Sequence, residues 1–248
     1  MNRRKSNVVW IDVGTHVGQE LMAALGPVWP ILVIFLRRNL SAYILRRGAP
    51  YSLTSLWKIL KRKKQVARLA NFQTVVIEPN IRLLNKPVYK LADQAFGIAL
   101  GRASGTGLTK LYVVRGEKDG QGSSIFKTKK RTDPNCYILA PLMDPATFFS
   151  GLKQVFDQQY VGSNYRLILR LNCEGAESEV IRECHNVFGD SVLLVMGSLK
   201  DVAEIKGESE LVSLNSFLAA NKVKFVPFSS LWKTWSSALD AIALSLRA

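Results

Sequence analysis

Short apolar runs that end in a turn and give way to helical periodicity constrain this chain more than any other feature. Val8 to Val13 is β-branched and apolar, and Val17, Leu21, Ala24 and Leu25 then recur at helical spacing up to Gly26-Pro27. Thr74 to Ile77 reads as a second buried strand closed by Glu78-Pro79, and Val88 to Ala92 as a weaker third. Asp144 is an N-cap before Pro145, and Phe148, Phe149, Leu152, Val155 and Phe156 form the stripe of a helix running to about Asp157. Arg166 to Leu171 is the next strand. Behind it Ala176, Val180, Ile181, Cys184, Val187 and Phe188 recur at spacings of three and four before Gly189. Val192 to Met196, Leu211 to Ala220 and Val223 to Val226 continue as strand, helix and strand. This alternation predicts an α/β fold, a Rossmann-like, doubly wound and mainly parallel sheet covered by helices on both faces.

Two segments interrupt the rhythm. Residues 27–70 form a long basic insertion, and residues 101–131, rich in Gly, Ser, Thr and Lys, read as a hairpin followed by a mobile loop. With 248 residues and 48% hydrophobic content the chain can enclose one sizeable core, so residues 1–248 read as one domain. Cys136, Cys173 and Cys184 are too few and too irregularly spaced for a disulfide framework, and no pair has the C-x-x-C spacing of a zinc or redox site. A reducing cytoplasm and no metal are the expectation. Arg3, Arg4 and Lys5 precede an apolar stretch that Asp12 interrupts and that lacks a cleavage site, which reads as a strand and not a signal peptide. The longest apolar run, Val28 to Leu36, has nine residues, where a membrane-spanning helix needs about 20.

Asp12-Val13-Gly14-Thr15-His16-Val17-Gly18 lies where the first strand meets the first helix, the edge at which an open α/β sheet binds its ligand. Gly14 and Gly18 let the backbone turn tightly and approach a bound molecule. Asp12 could orient this loop or accept from an amino group, and His16 sits within ligand reach. The spacing is G-x-x-x-G, unlike the G-x-G-x-x-G of a dinucleotide site, and no Lys-Ser/Thr pair follows as in a P-loop. The expected ligand is nucleoside-like, with no phosphates to cradle. Glu78, at the end of the second strand, can accept from both ribose hydroxyls, the role of an acidic residue usually found about 20 residues beyond the glycine loop. Here it lies 60 residues past Gly18, and the insertion accounts for the excess.

The third element is Asn172-Cys173-Glu174-Gly175-Ala176-Glu177, again where a strand ends and a helix begins. With it the chain resembles the FkbM-type methyltransferases, which show a D-x-G-x-x-x-G loop, an E-P pair after the second strand, and a D-x-E-G-A-E motif opening a later helix. The resemblance covers about residues 7–20, 74–100 and 120–188, including the loop Gly122-Ser123-Ser124, fails over the insertion and fades after Gly189. It implies a class I methyltransferase type of fold, S-adenosylmethionine as cofactor, and O-methylation of a hydroxyl on a sugar, glycolipid or secondary metabolite. By that analogy Asp12, Gly14 and Gly18 hold the methionine part, Glu78 the ribose, and the Asp93 to Ala95 region the adenine, while Asn172 and Glu174 border the reacting methyl. Where the family motif begins with Asp this chain has Asn172, which cannot act as a base. Glu174 or His185 could take the hydroxyl proton instead, although beside Cys184 on a helix face His185 also fits a structural role. Two other readings stay open: an RNA methyltransferase, or a cofactor-binding scaffold that has lost catalysis.

Charge is placed unevenly. Residues 1–90 carry 16 Lys/Arg against Asp12, Glu20 and Glu78, so they hold +13 of the formal +15. Within 27–70 stand Arg37, Arg38, Arg46, Arg47, Lys58, Lys61, Arg62, Lys63, Lys64 and Arg68, and no acid. Leu56, Ile59, Leu60, Val66, Ala67 and Leu69 make this stretch a helix apolar on one side and cationic on the other. Such a helix suits an anionic membrane, with Val28 to Phe35 as an apolar anchor, or a nucleic-acid backbone. A solvated helix over the cofactor cleft is the plainer reading. Trp57 and Tyr51 are the only aromatics interleaved with its cations in the manner of single-strand readers, which leaves nucleic acid behind membrane as the partner.

Overall fold

In the computed structural model, which describes residues 6–16, 18–44, 52–102, 107–114, 116, 122–162, 164–228 and 231–247, the first apolar run forms the strand on which the rest is built. Arg3, Arg4, Lys5, Val17, Arg46, Arg47 and Tyr51 lie outside the described residues. The elements follow as β1 (Ser6–Val13), α1 (Gln19–Ala24), α2 (Val28–Ile44), α3 (Leu53–Leu69), β2 (Ala70–Ile77), β3 (Gln94–Phe96), β4 (Ala99–Leu100), β5 (Gly107–Val114), β6 (Thr132–Met143), α4 (Pro145–Gln159), β7 (Tyr165–Leu171), α5 (Glu177–Phe188), β8 (Val192–Gly197), α6 (Lys200–Lys206), α7 (Glu208–Ala220), β9 (Phe225–Pro227) and α8 (Leu231–Ser245).

The central sheet is six-stranded, in the order β3-β2-β1-β7-β8-β9, and every pairing in it is parallel. Renumbered within the sheet this is 3-2-1-4-5-6, the strand order of a Rossmann-like fold, with its reversal between β1 and β7. Val13 pairs with both Ile77 and Leu171, and Leu171 with Gly197. The C-terminal ends of four strands therefore stand level, and the loops that leave them meet at one edge.

Helices cover both faces, which is why the strands are apolar on both. Val8 and Trp10 of β1 and Ile168 of β7 face one cluster, completed by Ile31 of α2, Ile59 of α3 and Leu239 of α8. Val9, Ile11 and Leu169 face the other, built on Phe149 and Phe156 of α4, Val180 of α5 and Leu214 of α7. The insertion thus forms two helices of 17 residues in the first layer. Lys63 departs from the cationic face assigned to it: its ammonium is buried and donates to the carbonyls of Ala23 and Ala24 at 2.9 Å, on the last turn of α1. Burial lowers its pKa to about 8. Among the described residues no helix is long and apolar enough to cross a membrane.

Two expectations need correction. Residues 88–92 are not a strand: Pro87 opens a 3₁₀ helix (Pro87–Leu91), its fixed φ suiting the first helical position, and the third strand follows at β3. The hairpin expected within 101–131 has its second arm beyond that range, because β5 pairs antiparallel with β6, itself parallel to β4, in a separate three-stranded sheet. Pro134 and Pro141 break up the strand signal of β6 in the sequence.

Candidate functional site

The site begins where β1 runs out. Gly14 donates its N–H to Ile77 O at 2.9 Å, and Asn172, at the end of β7, donates its N–H to Val13 O at 3.0 Å, so the three central strands stay stitched one residue past their ends. Gly14 has φ +70°, and a Cβ there would lie 2.2 Å from Asn172 O. Only glycine fits between the two loops. His16 also takes a left-handed conformation, φ +49°, held because its N–H donates to Glu78 Oε2 at 2.8 Å and its carbonyl accepts from the Tyr89 hydroxyl at 2.9 Å.

Beneath the loop lies an ion-pair network. Arg170 donates Nη1 to Asp12 Oδ1 at 3.0 Å and to Gly14 O at 2.7 Å, and Nη2 to Glu20 Oε2 at 2.9 Å. Asp12 is completely buried, and burial pushes its carboxyl up against the opposing pull of Arg170. Its carboxylate fixes Arg170, and Arg170 fixes the loop backbone. Asp12 thus acts on the loop only through Arg170 and does not itself line the cavity that the loop borders.

Glu78 ends β2 with its carboxylate aimed back at the glycine loop. Oε2 accepts from His16 N–H and Oε1 from Asn80 N–H at 2.9 Å, so both oxygens are oriented and each keeps a second acceptor direction. Burial raises its pKa, and the two backbone donors work against that rise.

On the opposite side, Glu174 stands in the β7–α5 turn at φ +55°, a conformation that costs a non-glycine residue of order 1–3 kcal/mol and clusters at functional sites. Asn172 Nδ2 donates to Glu174 Oε1 at 3.1 Å, the ammonium of Lys129 pairs with Oε2, and Ser124 Oγ donates to Glu174 O at 2.6 Å. An aspartate at 172 would set two carboxylates against each other here; the amide instead supplies a donor. Cys173 lies alongside, and burial pushes its thiol well above the usual range.

These loops enclose a cavity lined by Gly14, His16, Gly18, Glu78, Asn172 and Glu174, closed by Leu111 of β5 and by Gly122, Ser123 and Ile125 from the connection to β6. A second, more polar cavity adjoins it, sharing Gly122, Asn172 and Glu174 and adding Lys129, Arg131, Lys200 and Asp201. The remaining sequence candidates lie elsewhere. Asp93 Oδ2 accepts from Thr74 N–H at 2.7 Å and Thr74 Oγ1 at 2.9 Å, bracing β2, and Ala95 is in β3. The imidazole of His185 stands edge-on to Phe217, centroids 5.5 Å apart, on the far side of α5. None of the three lines the cavity.

Sequence reasoning missed Arg170, Glu20 and Lys129. Arg170 had a signal: unlike Arg166 at the start of the strand, it follows an aliphatic run, where an unpaired charge would be prohibitive. Lys129 had none, because only the fold brings its loop over the β7–α5 turn. No group of three or more His, Cys, Asp or Glu side chains among the described residues is arranged to hold a metal ion. None of the protein-family models, curated proteins or solved structures compared with the chain matches it.

Proposed function

We propose that this cavity binds S-adenosylmethionine and that the protein transfers its methyl group to a hydroxyl of a carbohydrate, lipid-linked or secondary-metabolite acceptor. The observation that carries the reading is the charge of the lining. Three carboxylates, Glu20, Glu78 and Glu174, line it with one guanidinium, Arg170; counting their ion-pair partners, four carboxylates including Asp12 stand against two cations, Arg170 and Lys129. Such a lining repels phosphates and favours a nucleoside that carries positive charge. Bound there, S-adenosylmethionine would supply a methyl group on a sulfonium, open to displacement by a hydroxyl oxygen.

The chain's own residues would then bind and position. Glu78 would accept from the ribose hydroxyls through its two free acceptor directions, and the backbone at Gly14 and Gly18 would approach the amino-acid portion. Glu174, oriented by Asn172 and Lys129, borders both cavities, so it would receive the acceptor's proton where the two spaces meet. Displacement at carbon is helped mainly by alignment and exclusion of water, and Gly122, Ser123 and Ile125 line the site on the side of β5. The resemblance to FkbM-type methyltransferases, over the glycine loop, Glu78-Pro79 and the segment from Asn172 to Glu177, supports the same chemistry.

Titration calorimetry with S-adenosylmethionine and S-adenosylhomocysteine tests the cofactor. Saturable heat is expected from both, and Glu78→Ala, shown by circular dichroism to be folded, should weaken binding at least about tenfold through the lost charged hydrogen bonds. Absence of heat, or an affinity indifferent to Glu78→Ala, would end the proposal. A second reading has one observation in its favour: Glu174 is already engaged by Lys129 and Asn172, as in a protein that binds the cofactor without transferring from it. Methyl release over a panel of hydroxyl acceptors separates the two.

A further inference from the structure

The outward face of the α2–α3 layer serves neither the core nor the cavity. On α2 the buried residues Ile31 and Phe35 point into the core cluster, while Trp29, Val33, Leu36, Leu40 and Ile44 are exposed. At 3.6 residues per turn these five fall within an arc of about 80°, opposite the buried pair. Trp29, Leu36, Leu40 and Ile44 are each 61–68% exposed, a continuous apolar stripe four turns long on the protein surface. Isolated exposed leucines need no explanation, but a stripe at helical spacing does.

α3 repeats the pattern with a different ending. Ile59, Lys63 and Val66 face inward, and the opposite arc begins with Leu53 and Trp57, 75% and 68% exposed, then continues with Lys61, Lys64 and Arg68. Both helices bury their inner stripes in the same cluster on the same side of the sheet, so their outer stripes leave the molecule on that side. Arg37 borders the α2 stripe, and residues 27–70 contain no acid to neutralise these cations.

We infer that this face docks on an anionic lipid surface, with the α2 stripe, Leu53 and Trp57 entering the headgroup region and the cations meeting lipid phosphates. An interfacial helix of this kind combines an apolar face that includes Trp with flanking Lys and Arg, and lies in the membrane plane. That agrees with 17-residue helices too short to cross a bilayer. The occupant follows from the chemistry of the patch. Aliphatic Val, Leu and Ile at its centre cannot stack on nucleic-acid bases. A second copy of the chain would set Arg37, Lys61 and Lys64 against like charges. Only a surface with an apolar interior and an anionic boundary matches both halves. The inference stands independently of the proposed chemistry.

Co-sedimentation of the full chain with phosphatidylcholine vesicles, with and without about a third phosphatidylserine, decides it. Binding is expected to the anionic vesicles alone, with a blue shift of tryptophan emission and weakening as salt rises. Leu36→Ser/Leu40→Ser should reduce binding about tenfold or more, and Lys61→Glu/Lys64→Glu at least as much, with unchanged thermal melts because all four side chains face solvent. The proposal is overturned if anionic vesicles do not retain the protein, or if the two serines leave binding intact. It is equally overturned if single-stranded RNA is bound more tightly than the vesicles, or if light scattering finds a dimer that Leu36→Ser/Leu40→Ser dissolves.

Discussion

Glu177 carries a carboxyl group with no solvent exposure. Gly175 N–H donates to Oε2 at 2.7 Å and Oε1 has no hydrogen-bond partner among the described residues, so burial pushes its pKa up to about 7 from an ordinary 4.5. The folded chain therefore holds this proton more tightly than the unfolded one. Its contribution to stability is full below pH 4.5 and is lost as pH rises to about 7, a change of about 3 kcal/mol. Glu177→Gln keeps an acceptor for Gly175 and cannot ionise. It should raise Tm by about 5–10 °C near pH 8 and hardly at all near pH 4.5; equal shifts at both would refute this account. The sequence marked Glu177 only as the last residue of a motif, since nothing in residue order reports that a helix's first turn will be buried. Asn172 is similar: read from sequence it is a missing base, whereas in the fold it is a donor that orients Glu174.

The junction of β1 and α1 depends on an element far along the chain. Gly18 has φ +56°, and a Cβ there would come within 2.4 Å of Val88 Cγ2, on the 3₁₀ helix Pro87–Leu91. Gly18→Ala meets both a left-handed penalty and this overlap, and should cost about 2–3 kcal/mol in chemical denaturation. Val88→Ala in the same chain removes the two closest contacts, leaving Cβ at 3.2 Å, and should recover part of the loss, so the two effects will not add. Additivity would show that packing against Val88 is not what demands glycine. The sequence identified Gly18 from its place after a strand, but took residues 88–92 for a strand and so could not name its partner. Strands with two buried faces, β1, β7 and β8, were legible because each holds at least three consecutive apolar residues, with the charges of β1 and β7 confined to their ends. β6, largely exposed and interrupted by Pro134 and Pro141, was not.

For the molecule as a whole, β1 and β7 feed both apolar clusters, Trp10 and Ile168 on one face and Val9, Ile11 and Leu169 on the other. Neither helix layer can be lost without exposing one face of the same strands. Unfolding in urea should therefore be one transition, coincident by tryptophan emission, which reports the layer holding Trp10 and Trp235, and by far-ultraviolet circular dichroism. A separate, earlier tryptophan transition would show that α2, α3 and α8 detach as a unit. Charge is divided along the chain more sharply than apolar area is, and the cations of the first 90 residues that stay exposed on α2 and α3 give one side of the molecule its electrostatic character.

By itself the sequence determined the alternation of strands and helices, the parallel character of the central sheet, and the positions of three turns at strand ends. Those are local consequences of apolar periodicity and turn chemistry. Tertiary structure alone decided which turns share a cavity: Gly14, Glu78, Asn172 and Glu174 meet because β1, β2 and β7 are neighbours in register, although residues 14 and 172 are far apart in the chain. It also decided that Arg170 is a buried strut, that Lys129 reaches Glu174, and that Lys63 turns inward while Lys61 and Lys64 face out. A charge's role depends on what surrounds it, and its surroundings are set by packing between distant segments, which residue order does not record.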